Sequence, residues 1–124
     1  MRNHSRFVTL SFLLTVMVLL ECNKSINRYE DEIVLLKTGR ESLVIQNKSA
    51  DPLFYIVLEE EISTRVDILI SCDNNNYVEG NEMKIIPYGT IMGYKTGAKI
   101  LIYTWLCDET NTAYDIHDYQ MKTP

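Results

Sequence analysis

The sequence predicts an all-β domain, and three observations carry that expectation. Two stretches, 53–58 and 99–106, are rich in β-branched and aromatic residues and too short for ordinary helices. Turn-forming clusters (Thr38-Gly39-Arg40, Asn47 to Pro52, Asp73 to Asn81, Thr96-Gly97) recur at short intervals between apolar runs. Tyrosine is abundant at eight residues while alanine is scarce, which favours strand over helix. About six or seven short strands separated by turns argue a small β-sandwich of immunoglobulin-like character, with an open barrel as the alternative.

The chain opens on an apolar run, Phe7 to Leu20, preceded by Arg2 and Arg6 and free of charge until Glu21. A membrane-spanning helix needs about 20 apolar residues. Fourteen residues, with Thr9, Ser11 and Thr15 among them, suit the hydrophobic region of an export signal instead. Residues 1–21 are therefore expected to be an export signal. Leu19-Leu20-Glu21-Cys22 resembles a bacterial lipobox, in which a leucine lies three residues before a cysteine that becomes lipidated and N-terminal after cleavage. It departs at Glu21, where that motif usually carries a small residue. The resemblance implies lipidation at Cys22 and a lipid bilayer as the first partner, with the rest exported and tethered to a bacterial membrane on its periplasmic or cell-surface side. An ordinary signal cut nearby and an uncleaved anchor are the rival readings.

Three cysteines are an odd number. With Cys22 acylated, Cys72 and Cys107 remain as a candidate disulfide in an oxidising compartment, or as two separate buried thiols. The whole chain has 12 basic and 17 acidic residues; without Arg2, Arg6 and Glu21 this leaves 10 against 16, a net −6. Such a surface gives nucleic-acid binding no electrostatic support. About a hundred residues suffice for one domain.

Residues 22–32 read as a polar tether and 33–107 as the β-sandwich. Ile33 to Lys37 is an apolar run ended by a turn. Ser42 to Asn47 alternates, with Leu43 and Ile45 on one face. In Leu53 to Leu58 both faces are apolar, which places the strand centrally with cover on both sides. Glu59-Glu60-Glu61 reads as a solvated edge or loop; a short helix through Glu60 to Arg65 lacks a good cap. Val66 to Ser71 reads as a further strand leading to Cys72. Asp73 to Asn81 faintly resembles a calcium loop, but Val78 stands where glycine is needed and Lys84 where glutamate is needed. Met83 to Ile86 is a strand stopped by Pro87, and Lys99 to Leu106 is a second strong strand whose Trp105 should have its N–H bonded. Residues 108–124 form a tail: Ala113 to Gln120 fits an edge strand or a helical turn, and Met121 to Pro124 should fray.

Little chemistry is visible. The domain has one histidine, His117, which excludes a histidine-based metal site, and it has no phosphate loop, dinucleotide fingerprint or nucleophile setting. No metal, cofactor or catalytic residue is assigned. Glu59, Glu60, Glu61, Asp67, Asp73 and Glu79 could supply paired carboxylates for a small secreted hydrolase or a metal-dependent domain, the alternative reading. Asn23-Lys24-Ser25 and Asn47-Lys48-Ser49 match the glycosylation acceptor pattern. The glycine-punctuated stretch Pro87 to Tyr94 suggests a contact surface, with Tyr88 and Tyr94 flanking turns and expected to be exposed.

The Cys22 signal, the Asn47-Lys48-Ser49 turn before an aromatic strand, and Pro87-Tyr88 ahead of the strand ending near Trp105 together resemble small, uncharacterised bacterial lipoproteins with a compact β domain. That resemblance implies no activity and transfers no site residues. The expectation is a binding or structural module at the cell envelope whose loops meet an envelope protein or a glycan.

Overall fold

A computed structural model describes residues 27–124. Eight strands form two antiparallel sheets of four, stacked as a small β-sandwich. They are β1 (Arg28–Glu30), β2 (Val34–Thr38), β3 (Ser42–Asn47), β4 (Leu53–Glu59), β5 (Tyr77–Val78), β6 (Met83–Pro87), β7 (Lys99–Cys107) and β8 (Ala113–Lys122). One helical turn, α1 (Glu60–Ser63), follows β4 directly. The first sheet has the order β1-β2-β3-β6 and the second β5-β4-β7-β8.

Alternation decides which side chains meet between the sheets. Val34 and Leu36 of β2, Leu43 and Ile45 of β3, and Ile86 of β6 point inward from the first sheet. Leu53 and Tyr55 of β4, Ile100, Ile102 and Leu106 of β7, and Met121 of β8 meet them from the second. β4 lies between β5 and β7, as its two apolar faces require. Its outward face of Phe54, Ile56 and Leu58 is covered not by a sheet but by the irregular segment 64–76.

Both ends of the sandwich extend past the expected 33–107. Arg28–Glu30 is no tether: it pairs with β2, Tyr29 lying opposite Leu36. The presumed tail holds β8, at ten residues the longest strand. Its C-terminus is also held. Thr123 N–H and Oγ1 donate to Ala98 O at 3.1 and 2.7 Å, Gly97 N–H donates to Pro124 O at 2.8 Å, and Met121 is buried. Pairing, not hydrophobic pattern, orders these two polar strands. A bulge in β8 near Asp115, with φ +52°, shifts the β7–β8 register between Thr104 and Leu106.

Val66 to Ser71 forms no strand. Its β propensity is high, but a strand also needs an edge to pair with. The far edge of β4 is occupied at one end by β5 and Asn76, and at the other by Met92, whose carbonyl accepts Glu59 N–H at 3.1 Å. The segment is drawn across the sheet face instead. Trp105 Nε1–H donates to Ser71 O at 3.1 Å, and Cys72 and Cys107 stand at disulfide distance with Cα atoms 5.9 Å apart.

The cap of α1 comes from the strand before it. Glu59 Oε1 accepts Glu61 N–H at 2.9 Å and Oε2 accepts Ile62 N–H at 3.0 Å. Glu59 is therefore buried and structural, unlike the solvated residue the glutamate run suggested.

Candidate binding groove

Tyr88 is 4% exposed and not a surface residue. It sits in a 3-10 turn, Tyr88–Thr90, and its Oη donates to Gly39 O at 2.6 Å. The Tyr94 ring stacks on it at 5.0 Å and packs half-buried against the core. The pair closes the end of the sandwich where β2 turns into β3, and burial raises the Tyr88 phenol above its usual range. The expectation that both would be exposed is corrected on this geometry: adjacency to a turn does not place a ring outside when its hydroxyl has the carbonyl of another turn, here Gly39 O, to reach. Of the two glycines in this stretch, Gly93 adopts φ +79° and lies where a Cβ would overlap Ile62 Cγ1, while Gly89 stands in open space.

Trp105 is fully buried, and on the outward face of its sheet. Phe54 stacks beside it at 6.1 Å, Tyr77 packs on Phe54 at 5.7 Å, and the Cys72–Cys107 pair holds the 64–76 segment over them. This is a second, small apolar core outside the sandwich.

Where that segment leaves the tryptophan it opens a groove of about 450 Å³, within the usual range for ligand sites. Ile56 and Leu58 of β4 form its floor; Val66, Ile68, Leu69 and Met92 form its walls. Leu69 is 75% exposed, more than any other large apolar side chain among the described residues, and Met92 beside it is 61% exposed, level with Met83 and Ile85 of β6. Asp67, Ser71, Asp73, Asn74 and Asn76 supply the polar lining. Asn74 Nδ2 donates to Tyr55 O at 3.2 Å, which fixes that side of the groove. A smaller, more polar cleft of about 320 Å³ shares Val57 and Asn76 with it, and there Lys84 Nζ lies 5.8 Å from the centroid of the Tyr55 ring.

Compared with protein-family models, with curated proteins and with solved structures, the chain matches none of them.

Elsewhere the candidate residues do not converge. Among the described residues no group of three His, Cys, Asp or Glu side chains is placed to hold a metal ion. His117 Nε2 lies 2.7 Å from Asp115 Oδ1 on the exposed edge strand, away from both cysteines' pairing. Nearby, the Tyr29 and Tyr119 rings meet at 4.7 Å, tilted by 44°, and burial pushes the Tyr119 phenol up to about 12. Asn47, the second glycosylation candidate, is fully buried. Its Nδ2 donates to Asp51 O, Val78 O and Glu79 O, and its Oδ1 accepts from Ser49 N–H and Oγ. It is thereby a structural tie. Cys22, Asn23 and the Phe7 to Leu20 run lie outside the described residues.

Sequence reasoning missed the groove because its floor and walls come from three separated stretches. The available signal was the misfit of Val66 to Ser71: an apolar segment beside a cysteine and an Asn-rich loop, and one strand more than the sheets can pair.

Proposed function

We propose that this chain is an exported, membrane-tethered module that binds an envelope protein through the groove between β4 and residues 66–74. The carrying observation is the groove itself, aliphatic throughout its floor and walls, with Leu69 and Met92 left exposed at its mouth. Aliphatic lining favours an apolar protein segment over a glycan, which takes aromatic platforms and dense hydrogen bonding. The polar groups that line it are two carboxylates, a serine and two asparagines, with no histidine to activate a nucleophile and no thiol to serve as one. The tethering half of the reading rests on the Phe7 to Leu20 run and Cys22.

A photo-crosslinking residue at position 69, expressed in intact cells, tests the binding half. We expect one discrete adduct, lost in Met92→Asp with the thermal midpoint unchanged. The same probe at Tyr114, exposed on the far edge strand, should give none. Equal labelling from both positions, or turnover of hydrolase substrates abolished by Asp67→Asn, counts against it.

A further inference from the structure

The charges of the sandwich are sorted along its axis. One end gathers the β2–β3 turn, the connection 88–98, the start of β7 and the end of β8. Ser42 lies opposite Pro87, Tyr88 Oη reaches Gly39 O, and Gly97 N–H reaches Pro124 O. Lys37, Arg40, Lys95, Lys99 and Lys122 are all exposed there, and none forms an ion pair among the described residues. Arg28 stands beside them, bridged to Glu30 at 3.1 Å. The carboxylates at this end are fewer: Glu59 is bound to the first turn of α1, Glu60 accepts from Gln120, and Glu41 and Glu61 are exposed. The opposite end presents Asp51, Asp73, Glu79, Glu82, Asp108 and Glu109, with Lys48 the basic residue among them.

Two register facts sharpen the contrast. Arg28 lies directly opposite Lys37 in the first sheet, and Lys99 directly opposite Lys122 in the second. Like charges directly opposite across an antiparallel pair are destabilising. Both sheets place such a pair at the same end, in a domain whose net charge is negative. The chain also enters here: Asn27 O accepts Thr38 N–H at 2.8 Å, just before β1. Residues 23–27 separate this entry from Cys22, a reach of at most about 20 Å at roughly 3.6 Å per residue.

We infer that the basic end of the sandwich docks on an anionic lipid surface, so that the domain stands on the bilayer with its acidic end outward and its groove to the side. The cations would lie close to the phosphates, where attraction falls off within a Debye length. The inference rests on the tethered reading for its short leash, but the residues that carry it belong to neither the signal nor the groove.

The test uses the full chain extracted from membranes and reconstituted into vesicles of phosphatidylcholine alone or mixed with phosphatidylglycerol. Flotation scores tethering; hydrogen exchange scores docking. On the mixed vesicles we expect slowed exchange at residues 39–41 and 93–97, absent on phosphatidylcholine and reversed by high salt. The variant Lys37→Ser/Arg40→Ser/Lys95→Ser/Lys99→Ser should still float, keep or raise its thermal midpoint, since two like-charge pairs are relieved, and lose the protection. Equal exchange on both vesicles, or protection at residues 108–112 instead, overturns the docking while leaving the tether intact. If the chain is recovered soluble, the tethered reading fails on its own. Sedimentation of that chain with phosphatidylglycerol vesicles then decides docking: binding weaker by roughly 100-fold or more for the variant supports it, and no binding by the parent overturns it.

Discussion

The indole N–H of Trp105 donates to the carbonyl of Ser71 at 3.1 Å, across 34 residues of chain. The bond pins an irregular segment over the outward face of β7, one residue from Cys72 and two from Cys107 in sequence. With the Cys72–Cys107 pair and the Asn74 bond to Tyr55 O, that attachment holds the second apolar core and the groove in place.

Loss of the Cys72–Cys107 link is therefore expected to cost its chain-entropy contribution and also to free the cover over Trp105. Closing a loop of this separation contributes about 3–4 kcal/mol in the entropy model. Cys72→Ser/Cys107→Ser should lose about that amount in urea unfolding and also shift Trp105 emission to the red, because its cover is freed. Thiol labelling of the denatured, unreduced parent should find neither cysteine free. Unchanged emission in the double variant would show that the Ser71 bond suffices alone.

Tyr88 and Tyr94 were candidates for a surface contact, and the structure makes them a closing pair. Tyr88→Ala is expected to destabilise the fold by about 3–5 kcal/mol, the range for removing a buried ring. Tyr88→Phe removes only the hydroxyl bond to Gly39 O and should cost about 1 kcal/mol. Denaturant midpoints of the two variants separate packing from hydrogen bonding.

Asn47 donates to three carbonyls of the neighbouring loops from within the core. Asn47→Leu leaves those acceptors without their donor, and a loss of about 2–4 kcal/mol is expected, far above that of Lys48→Ala on the same turn. Chemical denaturation of both variants checks the ratio.

Acid should weaken the protein by a definable route. Hydrogen bonds from the Glu61 and Ile62 amides hold Glu59 below its ordinary value. Burial pushes Asp31 up, but the Val34 and Ile33 amides together bring it below its usual range, and Thr110 and Thr112 do the same for Asp108. Groups depressed in the folded state stabilise it above their unfolded values, and that contribution is lost as pH falls through the folded ones. Stability should thus be level at neutral pH and decline below the ordinary carboxylate range. Glu59→Gln should flatten that decline, as read from thermal midpoints across an acid series.

The amino-acid sequence alone sets out the strands whose burial is written in alternation. β2, β3, β4, β6 and β7 stand where their apolar positions put them, Pro87 ends β6, and Trp105 has the hydrogen bond a buried indole requires. It alone also speaks for the Phe7 to Leu20 run and Cys22. The remaining features depend on partners distant in the chain. Arg28–Glu30 and the polar half of β8 carry no periodic signal and become strands only by pairing with β2 and β7. Val66 to Ser71 carries a strand signal and has no edge to join. Glu59 becomes a cap once β4 ends beneath α1, Tyr88 turns inward once Gly39 is within reach, and the groove exists only where β4, residues 66–74 and Met92 meet.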